Sequence, residues 1–126
     1  MQIEQLHGLD VDVDDVIYMP SLEAPSDKPH PFVYFLTIRN GSDETVTIRG
    51  RKWILTQSSG EKVIVEGDGV VGQFPKLEAG EDFSYNSYHV VGADSAVEGA
   101  FFGETEGGRP VFVKIPGFEL KVPNWA

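Results

Sequence analysis

The feature that most constrains this chain is a side-chain alternation of period two, repeated in short runs and broken by clusters of glycine, proline, asparagine and serine. Successive side chains of an extended strand point to opposite faces, so such a run builds an element with one buried face. A helix would need apolar residues three and four apart, and no segment shows that spacing convincingly. The chain is therefore confined to an all-β fold of short strands joined by tight turns. Its 126 residues suit one domain, spanning 1–126, that buries roughly two thirds of its unfolded surface and needs no staple to fold.

The alternation predicts about seven or eight strands. The first covers Leu9 to Met19, with Val11 and Val13 on one face and Asp10, Asp12 and Asp14 on the other. The inward set then switches to Val16 and Tyr18, which predicts a bulge near Asp14 or Asp15 that restores the pleat. Ser21 to Pro31 holds three prolines and few apolar groups, and reads as a surface loop. Phe32, Tyr34, Leu36 and Ile38 line one face of the next strand and Val33, Phe35 and Thr37 the other, an apolar character on both sides that suits a central position. It ends at Asn40-Gly41-Ser42-Asp43, residues that tolerate a positive φ.

A third strand opens at Val46 and Ile48, is interrupted by Gly50 and continues from Arg51 to Gln57. A turn at Ser58-Ser59-Gly60 leads back through Glu61 to Glu66. Setting Gln57 opposite Glu61 places Leu55 against Val63, Trp53 against Val65 and Arg51 beside Gly67. On the other face the same register pairs Lys52 with Glu66 and Ile54 with Ile64, both favourable combinations. Further on, Pro75 and Gly80 frame a polar turn, and strands follow at Phe83-Tyr85, at Val97-Gly99-Phe101 and at Val111-Val113-Ile115. The last breaks at Pro116-Gly117 and resumes with Phe118, Leu120 and Val122, a bend of the sort found where an edge strand changes sheets. The expected architecture is an antiparallel two-sheet sandwich of fibronectin type III or immunoglobulin type, without the Cys, Trp, Cys pattern of true immunoglobulin domains.

Composition then removes several classes of function. The chain has no cysteine, so disulfides, thiolate nucleophiles, Cys-ligated zinc and iron-sulfur clusters are excluded. A cytoplasmic setting fits that usage. A net charge of −10 repels nucleic-acid phosphate and anionic lipid, so neither nucleic acid nor membrane is expected as a partner. No apolar run approaches the roughly 18 residues of a membrane span, and Met1 to Asp10 lacks the basic start and apolar core of a signal peptide.

Three constellations could carry chemistry. Gly67-Asp68-Gly69-Val70-Val71-Gly72 is a literal G-x-G-x-x-G, but a dinucleotide site needs a helix directly behind it, and Pro75, Gly80 and the strand at Phe83 occupy that place. Glycine amides can still form an anion-binding nest, with Arg51 and Arg49 supplying charge; the plainer reading is a bulge and turn leading out of a strand. Asp10, Asp12 and Asp14 have the opening spacing of a calcium loop, yet Asp15 and Ser21 stand where an EF-hand needs glycine and glutamate. They read as an acidic face that guards a sheet edge. His7, His30 and His89 lie in no HExxH, HxH or nucleophile-elbow pattern, and His89 reads as a strand-end residue, so no catalytic set is expected and no cofactor is implied.

The stretch from Phe32 to Pro123 resembles the ApaG domain family, a domain of unknown function. The resemblance rests on Phe32 to Asn40, on Arg51-Lys52-Trp53-Ile54, on the glycine motif with Pro75, Leu77 and Gly80 behind it, on Phe83-Ser84-Tyr85, and on Ile115-Pro116-Gly117-Phe118-Glu119-Leu120. It implies a fibronectin-type-III-like sandwich, in agreement with the strand count. It also implies a link to cobalt resistance and magnesium efflux, and a glycine motif suggested as a pyrophosphate site. In eukaryotes a similar domain sits in F-box proteins and in a polymerase-delta-interacting protein, where it is taken as a protein-interaction module. By this resemblance Gly67, Gly69 and Gly72 carry the loop, and Arg51 and Trp53 fill the family's arginine and tryptophan places. The chain departs from the family at Asn86-Ser87-Tyr88, where a Thr-Ser-Gly run is common, and at Lys52, where an aromatic residue or histidine is usual.

The expected function is accordingly a non-catalytic binding module whose loops or exposed edge engage an unidentified protein. The alternative is a pyrophosphate or nucleotide binder using Gly67, Gly69, Gly72, Arg51 and Arg49, assisted by a divalent metal. The oligomeric state is left open, with a weak homodimer compatible with the sequence. Truncating Trp53 is expected to be severely destabilising if its ring packs between sheets.

Overall fold

The computed structural model describes residues 3–126. Nine strands are formed among them: β1 (Glu4–Gln5), β2 (Leu9–Tyr18), β3 (His30–Asn40), β4 (Val46–Gln57), β5 (Lys62–Asp68), β6 (Lys76–Leu77), β7 (Asp82–Val91), β8 (Ser95–Thr105) and β9 (Pro110–Leu120). The count exceeds the expected seven or eight because β1 and β6 have two residues each, too few to show an alternation. No helix occurs among the described residues, and so none long and apolar enough to cross a membrane.

The strands form two sheets. One runs β1-β9-β8-β4-β5, with β6 pairing β4 outside that path, and the other runs β2-β3-β7. Apolar side chains from the facing surfaces fill the space between them: Leu9, Val11, Tyr34, Leu36 and Ile38 from the smaller sheet, and Val46, Ile48, Trp53, Leu55, Phe101, Val113 and Ile115 from the larger. This is the fibronectin-type-III-like sandwich that the alternation predicts. β3 lies centrally between β2 and β7, as its two apolar faces require.

Register follows the side-chain pattern closely. β4 and β5 pair with Leu55 opposite Val63, Trp53 opposite Val65, Arg51 opposite Gly67, Lys52 opposite Glu66 and Ile54 opposite Ile64, as the turn at Ser58-Ser59-Gly60 dictates. β2 carries its bulge between Val13 and Asp15, where the inward set changes phase. Two expectations are corrected. The loop from Ser21 gives way to strand at His30, so Pro31 opposes Val90 inside β3, a placement open to proline near a strand's first residue. Second, β9 does not change sheets at Pro116-Gly117. It is paired with β8 on both sides, Ile115 opposite Gly99 and Phe118 opposite Val97. One extra residue on β9 forms a bulge there, which accommodates a proline that has no N–H for the ladder.

Candidate functional site

The glycine segment leaves the end of β5 and reverses at once. Val70 donates its amide to the Gln73 carbonyl at 2.8 Å, and Gln73 returns a bond to the Val70 carbonyl at 2.9 Å. The two residues between them, Val71 and Gly72, have φ of 44° and 79°. Positive φ at both central residues of a two-residue loop defines a type I′ turn. The motif is thus a hairpin tip; no helix follows it.

Each glycine has its own reason. At Gly67 a Cβ would lie 2.7 Å from Nη1 of Arg51, so glycine lets the guanidinium lie flat on the backbone. Arg51 Nη1 donates to the carbonyl oxygens of Asp68 at 2.9 Å and Gly69 at 3.2 Å, which ties the base of the hairpin to β4. Gly69 has φ of 63° and donates its amide to the Arg49 carbonyl at 2.7 Å; a Cβ there would overlap the carbonyl oxygen of Gln73. Gly72 stands at the open tip, with no atom within 4 Å of where its Cβ would be.

The structure therefore brings Gly67, Gly69, Arg49 and Arg51 together at the base of the hairpin and sets Gly72 apart from them. The cations nearby have partners. Arg49 donates to Glu104 Oε1 through Nε at 3.0 Å and Nη2 at 2.7 Å, and Lys52 faces Glu66 at 3.9 Å. Among the described residues, the amides of Val71 and Gly72 donate to no protein acceptor. Below the tip Val70 is fully buried, while Val71 and Phe74 are 47% and 52% exposed, and the Arg49 guanidinium lies 5.8 Å from the Phe74 ring centre.

Val71 is the residue that reading the motif for its glycines missed. A β-branched side chain at positive φ is an outlier that costs of order 1 to 3 kcal/mol. Nothing in the side-chain alternation signals it, because the turn type follows from where Val70 and Gln73 close the hairpin. Replacing Val71 by Asn, which adopts this conformation at little cost, should raise stability by about 1 kcal/mol. Urea denaturation measures it, and an unchanged or lower midpoint would mean that the turn holds Val71 without strain.

Behind the hairpin an aromatic cluster joins the sheets. Trp53 is 1% exposed, with ring centres at 5.0 Å from Tyr34, 4.8 Å from His89 and 6.1 Å from Phe118. Burial raises the pKa of both Tyr34 and Tyr85, and the Arg51 charge works against that shift in each. The indole Nε1 of Trp53, the hydroxyl of Tyr85 and Nε2 of His89 are buried without a hydrogen-bond partner. His89 is not at a strand end: it lies inside β7 with its ring in the core, and burial pulls its pKa down to about 4.

The remaining candidates are dispersed. Asp12 pairs with Arg39 at 2.9 Å, Asp14 accepts from the Thr37 hydroxyl at 2.6 Å, and Asp15 accepts from the Val16 amide at 2.8 Å. No group of three or more acidic or histidine side chains converges among the described residues. His7 is exposed, and His30 Nδ1 lies 3.0 Å from the Tyr18 hydroxyl. Tyr88, where the resemblance marks a departure, is 42% exposed and its hydroxyl donates to the Glu23 carbonyl at 3.4 Å.

Comparison with known proteins bears on the family and the fold. The ApaG domain, DUF525, matches residues 20–104. Protein ApaG of Vibrio vulnificus is 35% identical over 108 residues, covering 85% of this chain and 86% of its own. A crystal structure described as the putative ApaA protein from Bordetella pertussis superposes with a TM-score of 0.79 at 30% identity, over 98% of this chain and 99% of that one. The X-ray structure of the structural-genomics target SoR45 superposes with a TM-score of 0.83 at 27% identity, over 94% and 90% of the two chains. With the family model matched over residues 20–104 and the Vibrio vulnificus relative matched over most of both chains, the chain belongs to the ApaG domain family.

Proposed function

We propose that this chain is a non-catalytic binding module that engages a protein partner with the tip of the glycine hairpin. One observation carries the reading: Val71 is held at a φ of 44° with its apolar side chain about half exposed, as is that of Phe74 on the same hairpin. Strain that persists at an exposed position is a signature of a contact surface, since local stability alone favours Asn or Gly there. Arg51 supports the same role by fixing the hairpin base, which lowers the ordering cost on binding.

Val71→Asn and Phe74→Ser test it. Proteins retained from the native host's extract by the wild-type chain should be lost from both variants. Because Val71→Asn is expected to be the more stable protein, its loss of partner cannot come from unfolding. Identical retained sets from all three chains would overturn the reading. The family's link to cobalt resistance and magnesium efflux is then exerted through the partner, and calorimetry with either cation near neutral pH should show no binding.

A second reading, a pyrophosphate or nucleotide site at Gly67, Gly69 and Gly72, is favoured by the two unbonded amides of Val71 and Gly72. Against it, Arg49 and Arg51 already serve Glu104 and the loop carbonyls. Titrating pyrophosphate and ATP, with and without magnesium, separates the two. Shifts of the Val71 and Gly72 amides at millimolar ligand would favour the anion site, and their silence removes it.

A further inference from the structure

β5 is the outer strand of the larger sheet, paired with β4 on one side and with no strand on the other among the described residues. Free edges are usually guarded by charge, bulges or brevity. β2, an outer strand of the smaller sheet, is guarded in this way by Asp10, Asp12, Asp14 and Asp15 and by its bulge. β7, opposite it, turns polar Ser84 and Asn86 outward. β5 has no bulge along its seven residues, and Ile64 and Val65 are 56% and 38% exposed.

The hydrogen-bond phase of this edge is fixed by the turn before it. Gln57 donates to the Glu61 carbonyl at 2.8 Å, so those residues form a hydrogen-bonded pair, and by alternation so do Leu55 with Val63, Trp53 with Val65 and Arg51 with Gly67. Lys62, Ile64 and Glu66 therefore direct their N–H and C=O groups away from β4. They are the free valences of the sheet.

The sequence of that edge, Lys62-Val63-Ile64-Val65-Glu66, complements itself when read against its own reverse. In an antiparallel pairing about a two-fold axis at Ile64, Lys62 meets Glu66 of the second copy, Val63 meets its Val65, and Ile64 meets its Ile64. The pairs with outward backbone groups are the ones this register needs hydrogen-bonded. A slip of two residues either way sets Ile64 against Lys62 or Glu66 of the second copy, so the side chains select one register. We propose that this chain self-associates through β5, joining the larger sheets of two copies into one continuous sheet by an isologous contact. The occupant is a second copy because charge and apolar matching hold at each of the five positions from Lys62 to Glu66 when that stretch of the strand is set against itself.

The contact is weak. Five residues per copy cover less than the roughly 1,200 Å² below which transient encounters fall, and the charge of −10 on each copy opposes approach. Sedimentation velocity and amide spectra of the full chain, from about 10 µM to about 1 mM, read the association. We expect a concentration-dependent dimer, with amide shifts larger at Lys62, Ile64 and Glu66 than at Val63 and Val65. Ile64→Lys leaves the β4 pairing intact and should weaken the dimer by roughly tenfold or more.

Lys62→Glu and Glu66→Lys provide the decisive arm. Each creates like-charge pairs across the axis and should be monomeric, while an equimolar mixture of the two restores opposite charges at both ends and should dimerise. Losing the exposed Lys52 and Glu66 pair in the second variant costs little stability. A wild-type chain that stays monomeric at about 1 mM, a dimer indifferent to Ile64→Lys, or a mixture that stays monomeric would each overturn the proposal.

Discussion

Trp53→Ala is expected to lower the unfolding free energy by about 3 to 5 kcal/mol, a third or more of the total for many domains of this size. The indole is 1% exposed and lies where the two sheets meet, touching Tyr34 of β3, His89 of β7 and Phe118 of β9. Its own sheet makes room for it: a Cβ on Gly99 would lie 2.9 Å from Trp53 Cε3. Deleting the ring leaves a cavity that four surrounding strands cannot collapse without breaking register. Trp53→Phe should cost distinctly less, because it keeps most of the contact area and removes the unpartnered Nε1. Urea denaturation followed by circular dichroism measures both. Fluorescence adds an independent reading, since Trp125 is 76% exposed and only Trp53 can supply blue-shifted emission. A loss for Trp53→Ala too small to measure would mean that the ring does not bridge the sheets.

How far the sequence revealed this arrangement can be followed residue by residue. The β4 to β5 register was legible because two signals coincide there: a three-residue loop fixes the offset, and at that offset Lys52 meets Glu66 and Ile54 meets Ile64. The β2 bulge was legible because the inward set changes phase at one point, between Val13 and Val16. β6 was not, since two residues cannot display a period. At Pro116-Gly117 the alternation breaks as it would where an edge strand changes sheets, whereas a bulge absorbs the proline's missing donor and the ladder with β8 resumes.

The candidate site was legible only in part. The glycine motif showed where the backbone turns, but the strained residue is Val71, and its conformation depends on hydrogen bonds between Val70 and Gln73 that no local pattern encodes. The proximity of Arg49 and Arg51 to the loop followed from register. Their engagement by Glu104 and by loop carbonyls did not, because Glu104 arrives from β8, distant in sequence. His89 was within reach: continuing the alternation of Phe83 and Tyr85 through Ser87 places His89 and Val91 on the inward face of β7, and the burial of both follows that phase.

That placement makes His89 the source of the second large effect, a loss of stability in mild acid. In the folded chain burial holds its pKa at about 4, against about 6.5 for an unperturbed histidine. The neighbouring groups do not offset this: Tyr34 from β3 and Trp53 from β4 contact the ring, and the Tyr34 hydroxyl stays neutral because burial raises its pKa. Between pH 6.5 and 4 the unfolded chain therefore binds a proton that the folded chain refuses, and stability falls as pH falls. The contribution is fully present above about pH 6.5, declines through the window and changes no further below about pH 4. From pH 7 to pH 5 the expected loss is about 2 kcal/mol. His89→Phe keeps an aromatic ring against Tyr34 and Trp53 but cannot take up a proton, so its unfolding free energy should be nearly flat over the same interval, and it should overtake the wild type at pH 5. Urea unfolding of both proteins at the two pH values decides the matter: parallel changes would assign the acid sensitivity to the carboxylates, and divergence of about 2 kcal/mol assigns it to the buried imidazole.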